Sequence, residues 1–309
     1  MRERLRSRVA LLAGRVPRFV IVGDRDPQRS IRVMLDDAEG SLDVTRNHVI
    51  ISLQPLRIAI GSGARRPSPG TLRFTPAGGS QLLGEISLQP DGDFLQGNSR
   101  LQFYRVERHL NHCMSFPASL VYSLYHGWSG LGHQPDFQMD RAARLAFEVL
   151  YICPRPAVLV SVEHEGAGTL FPMDLIGPVT GDLFLMALKS TSRSIDLMRA
   201  AGRMSLADMP VESSAQVGWL GGEGKRVPID WTSLPFTLDH SPLHGFRVPA
   251  AALRVRDVTV RATYPAGSHT LFVTEVVGEN RKRDGLQMTT ISGPWYRYLR
   301  RHGVTPVQP

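Results

Sequence analysis

Residues 171–178 read Phe171-Pro172-Met173-Asp174-Leu175-Ile176-Gly177-Pro178, and they lead into an apolar strand predicted over residues 182–188. A hydroxyl-rich turn follows, Lys189-Ser190-Thr191-Ser192-Arg193-Ser194, and then a helical run over residues 195–201. Hydroxyl groups and the free N–H groups of a helix's first turn donate hydrogen bonds, and Lys189 and Arg193 add positive charge. The stretch predicts a site for a phosphate-bearing ligand. The alternative is an ordinary surface helix with a Ser/Thr cap.

A second stretch, closer to the C-terminal end, indicates a β-hairpin. Strand-like runs over residues 252–262 and 267–277 are joined by a short loop that contains Pro and Gly. The second run begins Gly267-Ser268-His269-Thr270-Leu271-Phe272. Together and in this order, the two stretches resemble the flavin reductase family of FMN-binding split barrels, and Pro294-Trp295-Tyr296-Arg297-Tyr298-Leu299 is similar to that family's terminal segment. The resemblance covers residues 137–299.

The resemblance implies a cofactor site built from both stretches. Residues Pro172, Met173, Asp174, Leu175, Ile176 and Gly177 would lie against the isoalloxazine, with Met173 and Ile176 as an apolar wall and the backbone of Asp174 and Gly177 as the hydrogen-bonding edge. Residues Lys189, Ser190, Thr191, Ser192, Arg193 and Ser194 would hold the phosphate, and His269 would lie near the flavin or the nicotinamide as the catalytic residue. FMN is favoured over FAD as the cofactor, and NAD(P)H is the expected co-substrate.

The activity that the resemblance implies is flavin-dependent oxidoreduction, in which NAD(P)H reduces FMN by hydride transfer. A non-catalytic FMN-binding or flavin-sensing protein is the alternative. Thr180-Gly181-Asp182 stands where many family members have Asp-Pro-Pro, so the sequence is similar to a divergent branch. For His269 an ordinary turn position is the competing interpretation, and for Asp174 a partnership with Arg193 or Lys189 is expected because an isolated buried carboxylate is costly.

The N-terminal half contains a weaker echo of the same family. Thr45-Arg46-Asn47-His48 is followed by Ile51-Ser52-Leu53-Gln54-Pro55-Leu56, which resembles the family's Thr-x-Asn-Ser and Ser-Leu-Asp-Pro-Pro-Leu signature. The prediction is therefore a mainly β chain with a few helices: an N-terminal β domain over residues 1–130 and a split barrel over residues 137–299. The N-terminal domain is either an unrelated β domain or a degenerate second split barrel. Family members pair about a two-fold axis, so either a homodimer or an intrachain pseudo-dimer is expected, with the apolar hairpin 252–277 as the candidate contact.

Composition limits the class of protein. The 309 residues are 42% hydrophobic and 21% charged, as in globular proteins, and the apolar runs are too short to span a membrane, so a cytoplasmic location is expected. The net charge of +8 comes from arginines scattered along the chain, without the interleaved aromatics of a nucleic-acid platform, so nucleic acid is not an expected partner. Cys113 and Cys153 lack metal-site spacing and are predicted to be buried free thiols. No metal is expected.

The pattern along the chain also predicts local structure. Strands are expected over residues 18–23, 32–35, 49–53, 56–60, 82–88, 101–106 and 158–162. A long exposed loop is expected over residues 61–79, a turn over 89–93, a short helix within 109–125 and a linker over 127–135. Asp140 is expected to cap a helix over residues 141–151. The glycine-rich run 221–226 is expected to be a flexible excursion.

Overall fold

The computed structural model describes residues 17–26, 30–96, 99–129, 139–181, 183–222 and 227–309. The basic N-terminal residues 1–16 lie outside the described residues. So do most of the predicted linker and most of the glycine-rich run, at residues 130–138 and 223–226. Asp182, the predicted first residue of an apolar strand, also lies outside them.

The chain is mainly β with a few helices, as predicted. The strands are β1 (Phe19–Asp24), β2 (Ile31–Asp37), β3 (Gly40–Asp43), β4 (His48–Leu53), β5 (Leu56–Gly61), β6 (Gly70–Pro76), β7 (Gly84–Gln96), β8 (Ser99–Asn111), β9 (Arg155–Pro156), β10 (Val158–His164), β11 (Ala167–Met173), β12 (Ile176–Thr180), β13 (Leu183–Lys189), β14 (Arg203–Asp208), β15 (Leu238–His240), β16 (Arg247–Pro249), β17 (Arg254–Ala266), β18 (His269–Arg281) and β19 (Gln287–Ser292). The helices are α1 (Phe116–Ser129), α2 (Arg141–Leu150), α3 (Ser194–Ala201), α4 (Ser214–Gly221) and α5 (Gly293–Arg301), with short 3-10 turns at Val211–Ser213 and Trp231–Ser233.

Two seven-stranded antiparallel sheets have the same topology. The first has the order β3-β2-β6-β7-β8-β5-β4, and the second has the order β11-β10-β14-β17-β18-β13-β12. If β2 to β8 are matched in chain order with β10 to β14, β17 and β18, the two orders are identical. The N-terminal half is therefore a second copy of the architecture and not an unrelated β domain.

Matching irregularities support the equivalence of the two sheets. The pairing of β4 with β5 shifts between Ile50 and Ser52, and the pairing of β12 with β13 shifts between Pro178 and Thr180. Both long hairpins, β7–β8 and β17–β18, also contain two register shifts each. A bulge bends and twists a strand at a defined point, so its recurrence at the same place in both hairpins aligns the two halves residue by residue.

An equivalent backbone hydrogen bond in each half supports this alignment. The N–H of Gly61 donates to the carbonyl of Asn47 at 2.8 Å, and the N–H of Ala187 donates to the carbonyl of Leu175 at 2.9 Å. Gly61 ends β5 and Ala187 lies near the end of β13, while Asn47 and Leu175 directly precede β4 and β12. Asn47 in the first half thus corresponds to Leu175 in the second.

The two halves pack against each other through one hydrophobic core. That core contains buried side chains from both, including Val49 and Ile51 of β4, Val179 of β12 and Val273 of β18. Many apolar residues of the β17–β18 hairpin, among them Val258 and Val273, are buried inside the chain, whereas Val277 is exposed. The hairpin therefore has much of its apolar surface covered without a second copy of the protein.

The N-terminal strand β1 joins the opposite end of the chain. It pairs along its whole length with β19, which in turn pairs with β9. Next to this small sheet, helix α2 begins where predicted, because the Asp140 carboxylate accepts a hydrogen bond from the N–H of Ala143 at 2.7 Å. The β1–β19 pairing connects residues on both sides of the predicted boundary between residues 130 and 137.

Two local predictions were wrong. The segment 61–79 is not wholly loop, because it contains β6, which lies between β2 and β7 in the first sheet. The segment 89–93 is not a turn but an irregular part of β7, where the pairing shifts between Pro90 and Asp93. Gly, Pro and Asp permit both turns and bulges, so these residues alone did not distinguish the two.

Two remaining features concern the cysteines and the helices. Cys113 and Cys153 are free and buried, as predicted. Within the described parts of the chain, every helix is too short or too polar to cross a membrane.

Candidate active site

A cavity of about 400 Å³ brings together residues from both sequence stretches. Of the residues predicted to bind or transform a cofactor, the cavity wall contains Pro172, Met173, Asp174, Leu175, Lys189 and His269. Antiparallel pairing explains how residues 80 positions apart meet, because Lys189 of β13 lies directly opposite His269 of β18. The connection between β11 and β12 supplies Asp174 to the same wall.

One side of the cavity is aromatic. Phe19, Phe147 and Tyr151 pack with ring centroids 4.7 to 5.6 Å apart. They come from β1, from α2 and from the residue that follows α2. Tilted and edge-to-face ring contacts of this kind form a rigid apolar surface against which a flat ring system can bind.

Asp174 has a different partner from the one expected. The hydroxyl of Tyr151 donates a hydrogen bond to the Asp174 carboxylate at 2.8 Å. Burial raises the pKa of Asp174 above its ordinary value, while this hydrogen bond and the nearby Arg155 charge act in the opposite direction. Burial also raises the pKa of Tyr151 well above its ordinary value, so the hydroxyl keeps its proton and remains a donor.

His269 is a buried residue and not an exposed turn residue, with 3% of its surface accessible. Burial, reinforced by the positive charge of Lys189, lowers the pKa of His269 to about 4. The imidazole is therefore neutral near pH 7, and only one of its nitrogens carries a proton.

The N-terminal half fixes the environment of this imidazole. Gln54 and Ser268 form two hydrogen bonds: the N–H of Gln54 donates to Ser268 Oγ at 3.0 Å, and the N–H of Ser268 donates to the Gln54 carbonyl at 2.8 Å. Ser268 Oγ also lies 2.9 Å from Nδ1 of His269. The Ser268 hydroxyl can donate its own proton to Nδ1, and in that arrangement the imidazole proton is on Nε2.

The hydroxyl-rich residues form a turn beyond the cavity wall. Ser190 lies 3.2 Å from the Thr270 hydroxyl, and the N–H of Ser192 donates to the Lys189 carbonyl at 2.8 Å. Ser190, Thr191 and Arg193 are exposed, Ser192 is half-buried and Ser194 is buried at the start of α3. Of the six residues in this predicted group, Lys189 is the one that lines the cavity.

Ile176 and Gly177 are placed apart from the cavity. The Ile176 side chain is buried in a core between the second sheet and α3. Gly177 lies opposite Leu185 in the β12–β13 pairing, and it lines a different cavity. The direction of the chain changes between Asp174 and Ile176, which separates these two residues from the preceding four.

Several wall residues were not identified from the sequence. The further lining residues are Arg18, Phe19, Leu53, Met139, Arg144, Phe147, Tyr151, Ala187, Leu188 and Thr290. Leu53 comes from the N-terminal half, Phe19 is the first residue of β1, and Arg18 directly precedes it. The pattern of apolar residues predicted the strand and the helix that carry five of these ten residues. It contained no signal that these elements would meet the second sheet.

The site can hold a flat, partly anionic molecule. It offers an aromatic wall, a neutral imidazole and the cationic Lys189, with a carboxylate held by Tyr151. Ligand sites commonly have this composition, mostly apolar with a few directed polar groups.

No curated protein sequence matches. Among solved structures, an FMN-binding protein from Thermus thermophilus is similar to part of this chain. The alignment covers 49% of this chain and 77% of the Thermus chain, with 23% identity and a TM-score of 0.39. The NADH:FAD oxidoreductase of Streptomyces globisporus is 15% identical over 52% of this chain and 95% of its own (TM-score 0.44), and the styrene monooxygenase flavin reductase of Pseudomonas putida is 16% identical over 48% and 93% (TM-score 0.40). The family described as "Flavin reductase like domain" matches residues 150–294, the segment that contains both predicted stretches. This match covers just under half of the chain, and it is to the family that the two stretches of sequence resemble.

Proposed function

We propose that the cavity binds FMN and that the protein is an NAD(P)H-dependent flavin oxidoreductase. The observation that carries the proposal is the convergence of Asp174, Lys189 and His269 on one cavity with an aromatic wall. Its volume of about 400 Å³ falls within the range of small-molecule and cofactor sites.

The residues present fit a flavin. Phe147, Tyr151 and Met173 would contact the ring system, and Lys189 would attract the phosphate, with the neighbouring Arg193 turn as a second source of charge. When bound, FMN would supply the hydride-accepting chemistry, with NAD(P)H as the donor. FMN is favoured over FAD because the turn after Lys189 provides one compact group of phosphate-binding side chains.

The chain itself contributes position and electrostatics. A neutral His269 with its proton on Nε2 can donate one hydrogen bond toward negative charge that develops in the cavity. Gln54 and Ser268 hold this orientation, and Tyr151 holds the Asp174 carboxylate. None of these groups needs to reorganise during the reaction, which is the condition under which directed dipoles are effective.

The first test uses the purified full-length chain. FMN is added while absorbance and flavin fluorescence are measured, and NADH or NADPH is then mixed anaerobically with the complex in a stopped-flow instrument. Saturable binding followed by loss of the oxidised-flavin absorbance supports the proposal. Binding without this loss would favour the alternative, a non-catalytic FMN-binding or flavin-sensing protein. Absence of binding would refute both.

A second test concerns the phosphate. In the variant Lys189→Ala/Arg193→Ala, FMN should bind about tenfold more weakly or worse, because charge-assisted phosphate contacts are lost. Riboflavin, which lacks the phosphate, should change by less than about twofold. Arg199→Ala is the matched control, since Arg199 lies on α3, which begins directly after Arg193, and pairs only with the exposed Asp196 among the described residues. Equal losses for FMN and riboflavin would show that the phosphate binds elsewhere.

We also propose that the predicted domains, residues 1–130 and 137–299, act as an intrachain pseudo-dimer. The matching strand orders and the shared core support this arrangement. Sedimentation should give a mass near that of one chain, 34.2 kDa, and the chain should bind one FMN. A mass of two chains would favour the homodimer instead. The expected cytoplasmic location stays a prediction that cell fractionation can test.

A further inference from the structure

A second cavity, of about 730 Å³, lies at the other end of the β12–β13 hairpin. Gly177, Thr180 and Phe184 line it, whereas Ala187 near the end of β13 and Leu175 just before β12 line the first cavity. The two cavities are therefore distinct, although they share a hairpin.

The internal repeat relates the two cavities to each other. In the alignment of the halves, Arg46 and Asn47 correspond to Asp174 and Leu175. Arg46 and Asn47 line the second cavity, while Asp174 and Leu175 line the first. The second cavity is thus placed relative to the N-terminal half as the candidate active site is placed relative to the C-terminal half.

The chemistry of the two positions differs. Lys189 and His269 face each other in the first cavity. If the β5–β8 register is continued two residues past its last pair, Gly61 and Leu101, the corresponding residues in the N-terminal half are Gly63 and Ser99. The cation and the imidazole are absent at the repeated position, and an arginine replaces the carboxylate of Asp174. The second cavity is therefore not a duplicate of the flavin site.

The second cavity is instead rich in arginine. Its lining contains Arg25, Arg46, Arg254, Arg256, Arg281 and Arg283 against three carboxylates, Asp26, Asp208 and Glu279. Asp26 is bound by Arg46 at 2.9 Å. If every group carries its ordinary charge, the lining has an excess of three positive charges.

The two innermost arginines are already neutralised. Asp208, which is buried, accepts from Arg254 at 2.8 Å and from Arg256 at 2.7 Å. Glu279 lies 3.4 Å from Arg256 and 3.7 Å from Arg254. The Arg256 guanidinium also lies over the ring of Phe184. These contacts make the floor of the cavity a rigid charged platform and leave the excess charge at the rim.

The rim arginines keep donors for a ligand. The Arg25 side chain is exposed and has no hydrogen bond or ion pair with any residue that the structure describes. Arg281 pairs with Asp284, and both side chains are exposed. Arg283 donates from Nε and one terminal nitrogen to the carbonyl of Ala251, which leaves its other terminal nitrogen for a ligand.

We propose that this arginine-lined cavity binds a small polyphosphate, either free or as part of a nucleotide. Guanidinium groups match the oxygens of phosphate in pairs, and several around one concave site favour a ligand with more than one phosphate over a single carboxylate. The proposal is independent of flavin binding in the first cavity, because the two sites differ in their arginine, lysine and histidine residues.

The test is calorimetric titration of the full-length chain with inorganic pyrophosphate. Binding of one pyrophosphate per chain is expected, and Arg25→Ala/Arg281→Ala should weaken it by about tenfold or more. Both residues are exposed, so the variant should fold, which circular dichroism can verify. The matched control is Arg105→Ala/Arg108→Ala, which removes two exposed charges from β8 outside both cavities and should change the affinity by less than about twofold.

Other arms identify the source of the phosphate and the location of the site. Tighter binding of ADP than of pyrophosphate would indicate a nucleotide, and equal binding would indicate a free polyphosphate. Loss of pyrophosphate binding in Lys189→Ala but not in Arg25→Ala/Arg281→Ala would overturn the proposal, because it would place the anion in the first cavity. Absence of pyrophosphate binding, or equally tight binding of adenosine, would also overturn it.

Discussion

Replacing Tyr151 with Phe tests the hydrogen bond that holds the carboxylate of the candidate active site. The change removes one oxygen atom from a side chain that is 2% exposed and leaves the aromatic contacts with Phe19 and Phe147 in place. The lost hydrogen bond to Asp174 measures 2.8 Å. A hydrogen bond to a charged group contributes about 1.5–3 kcal/mol, so we expect the free energy of unfolding to fall by about 2 kcal/mol at neutral pH.

The cost of this substitution should depend on pH. Because burial raises the folded-state pKa of Asp174 above its unfolded value, ionisation of this group weakens the fold as the pH rises through the raised pKa. The Tyr151 hydrogen bond opposes that rise, so its removal increases the pKa of Asp174 further. The difference in stability between the parent and Tyr151→Phe should therefore be largest above this pKa and should shrink as the pH falls below it.

Urea unfolding followed by circular dichroism, at about pH 7.5 and about pH 4, measures both effects. Tyr264→Phe is the matched control, because the half-buried Tyr264 hydroxyl has no hydrogen-bond partner within the described residues, and it should cost less than about 0.5 kcal/mol. A double-mutant cycle with Asp174→Asn should give a coupling energy of about 1–2 kcal/mol. A loss no larger than that of Tyr264→Phe, or a loss that does not change with pH, would refute the reasoning.

Three further predictions concern other parts of the structure. His269→Ala should slow NAD(P)H-dependent reduction by about ten- to a hundred-fold while changing FMN affinity much less, as stopped-flow and titration can show; an unchanged rate would return His269 to a purely structural role. Gly61→Ala should destabilise the fold by about 3 kcal/mol or more, because a Cβ there would lie 1.9 Å from the carbonyl oxygen of Val179. The control Gly78→Ala has open space around the added Cβ, and it should change the unfolding free energy by less than about 0.5 kcal/mol. Burial and the Arg155 charge lower the pKa of His48 in the folded protein to about 3, so the fold should lose stability as the pH falls below 6.5, the pKa of His48 in the unfolded chain. At pH 5 this loss should be about 2 kcal/mol in the parent, and His48→Asn should remove it. Equal pH dependence of the unfolding free energy in parent and variant would contradict this.

The sequence predicted those features that depend on neighbouring residues. Apolar runs located β4, β5 and β13, and Asp140 marked the start of α2 through its side-chain hydrogen bond to Ala143. The Gly-Ser-His-Thr-Leu-Phe run located the start of β18 and thereby placed His269 at the cavity. In each case the physical signal is local: alternation, a cap or a short loop.

The features that the sequence did not predict depend on distant residues. Nothing in residues 19–24 indicates that β1 pairs with β19, although this pairing brings Phe19 to Tyr151 and creates the aromatic wall. Tyr151 was predicted only as the end of a helix, and its hydrogen bond to Asp174 depends on how α2 packs. The repeat was visible over about 20 residues in sequence but extends over seven strands in structure, because strand order persists when side chains change.

The two hydrogen bonds between Gln54 and Ser268 mean that the orientation of the His269 imidazole is set by a segment from the other half of the same chain. In a protein that assembles from separate subunits, such a contact is lost when the sample is diluted below the dissociation constant. Here a covalent connection keeps the effective concentration of Gln54 at the site constant. At saturating FMN, the proposed flavin reduction per mole of this chain should accordingly be independent of the protein concentration.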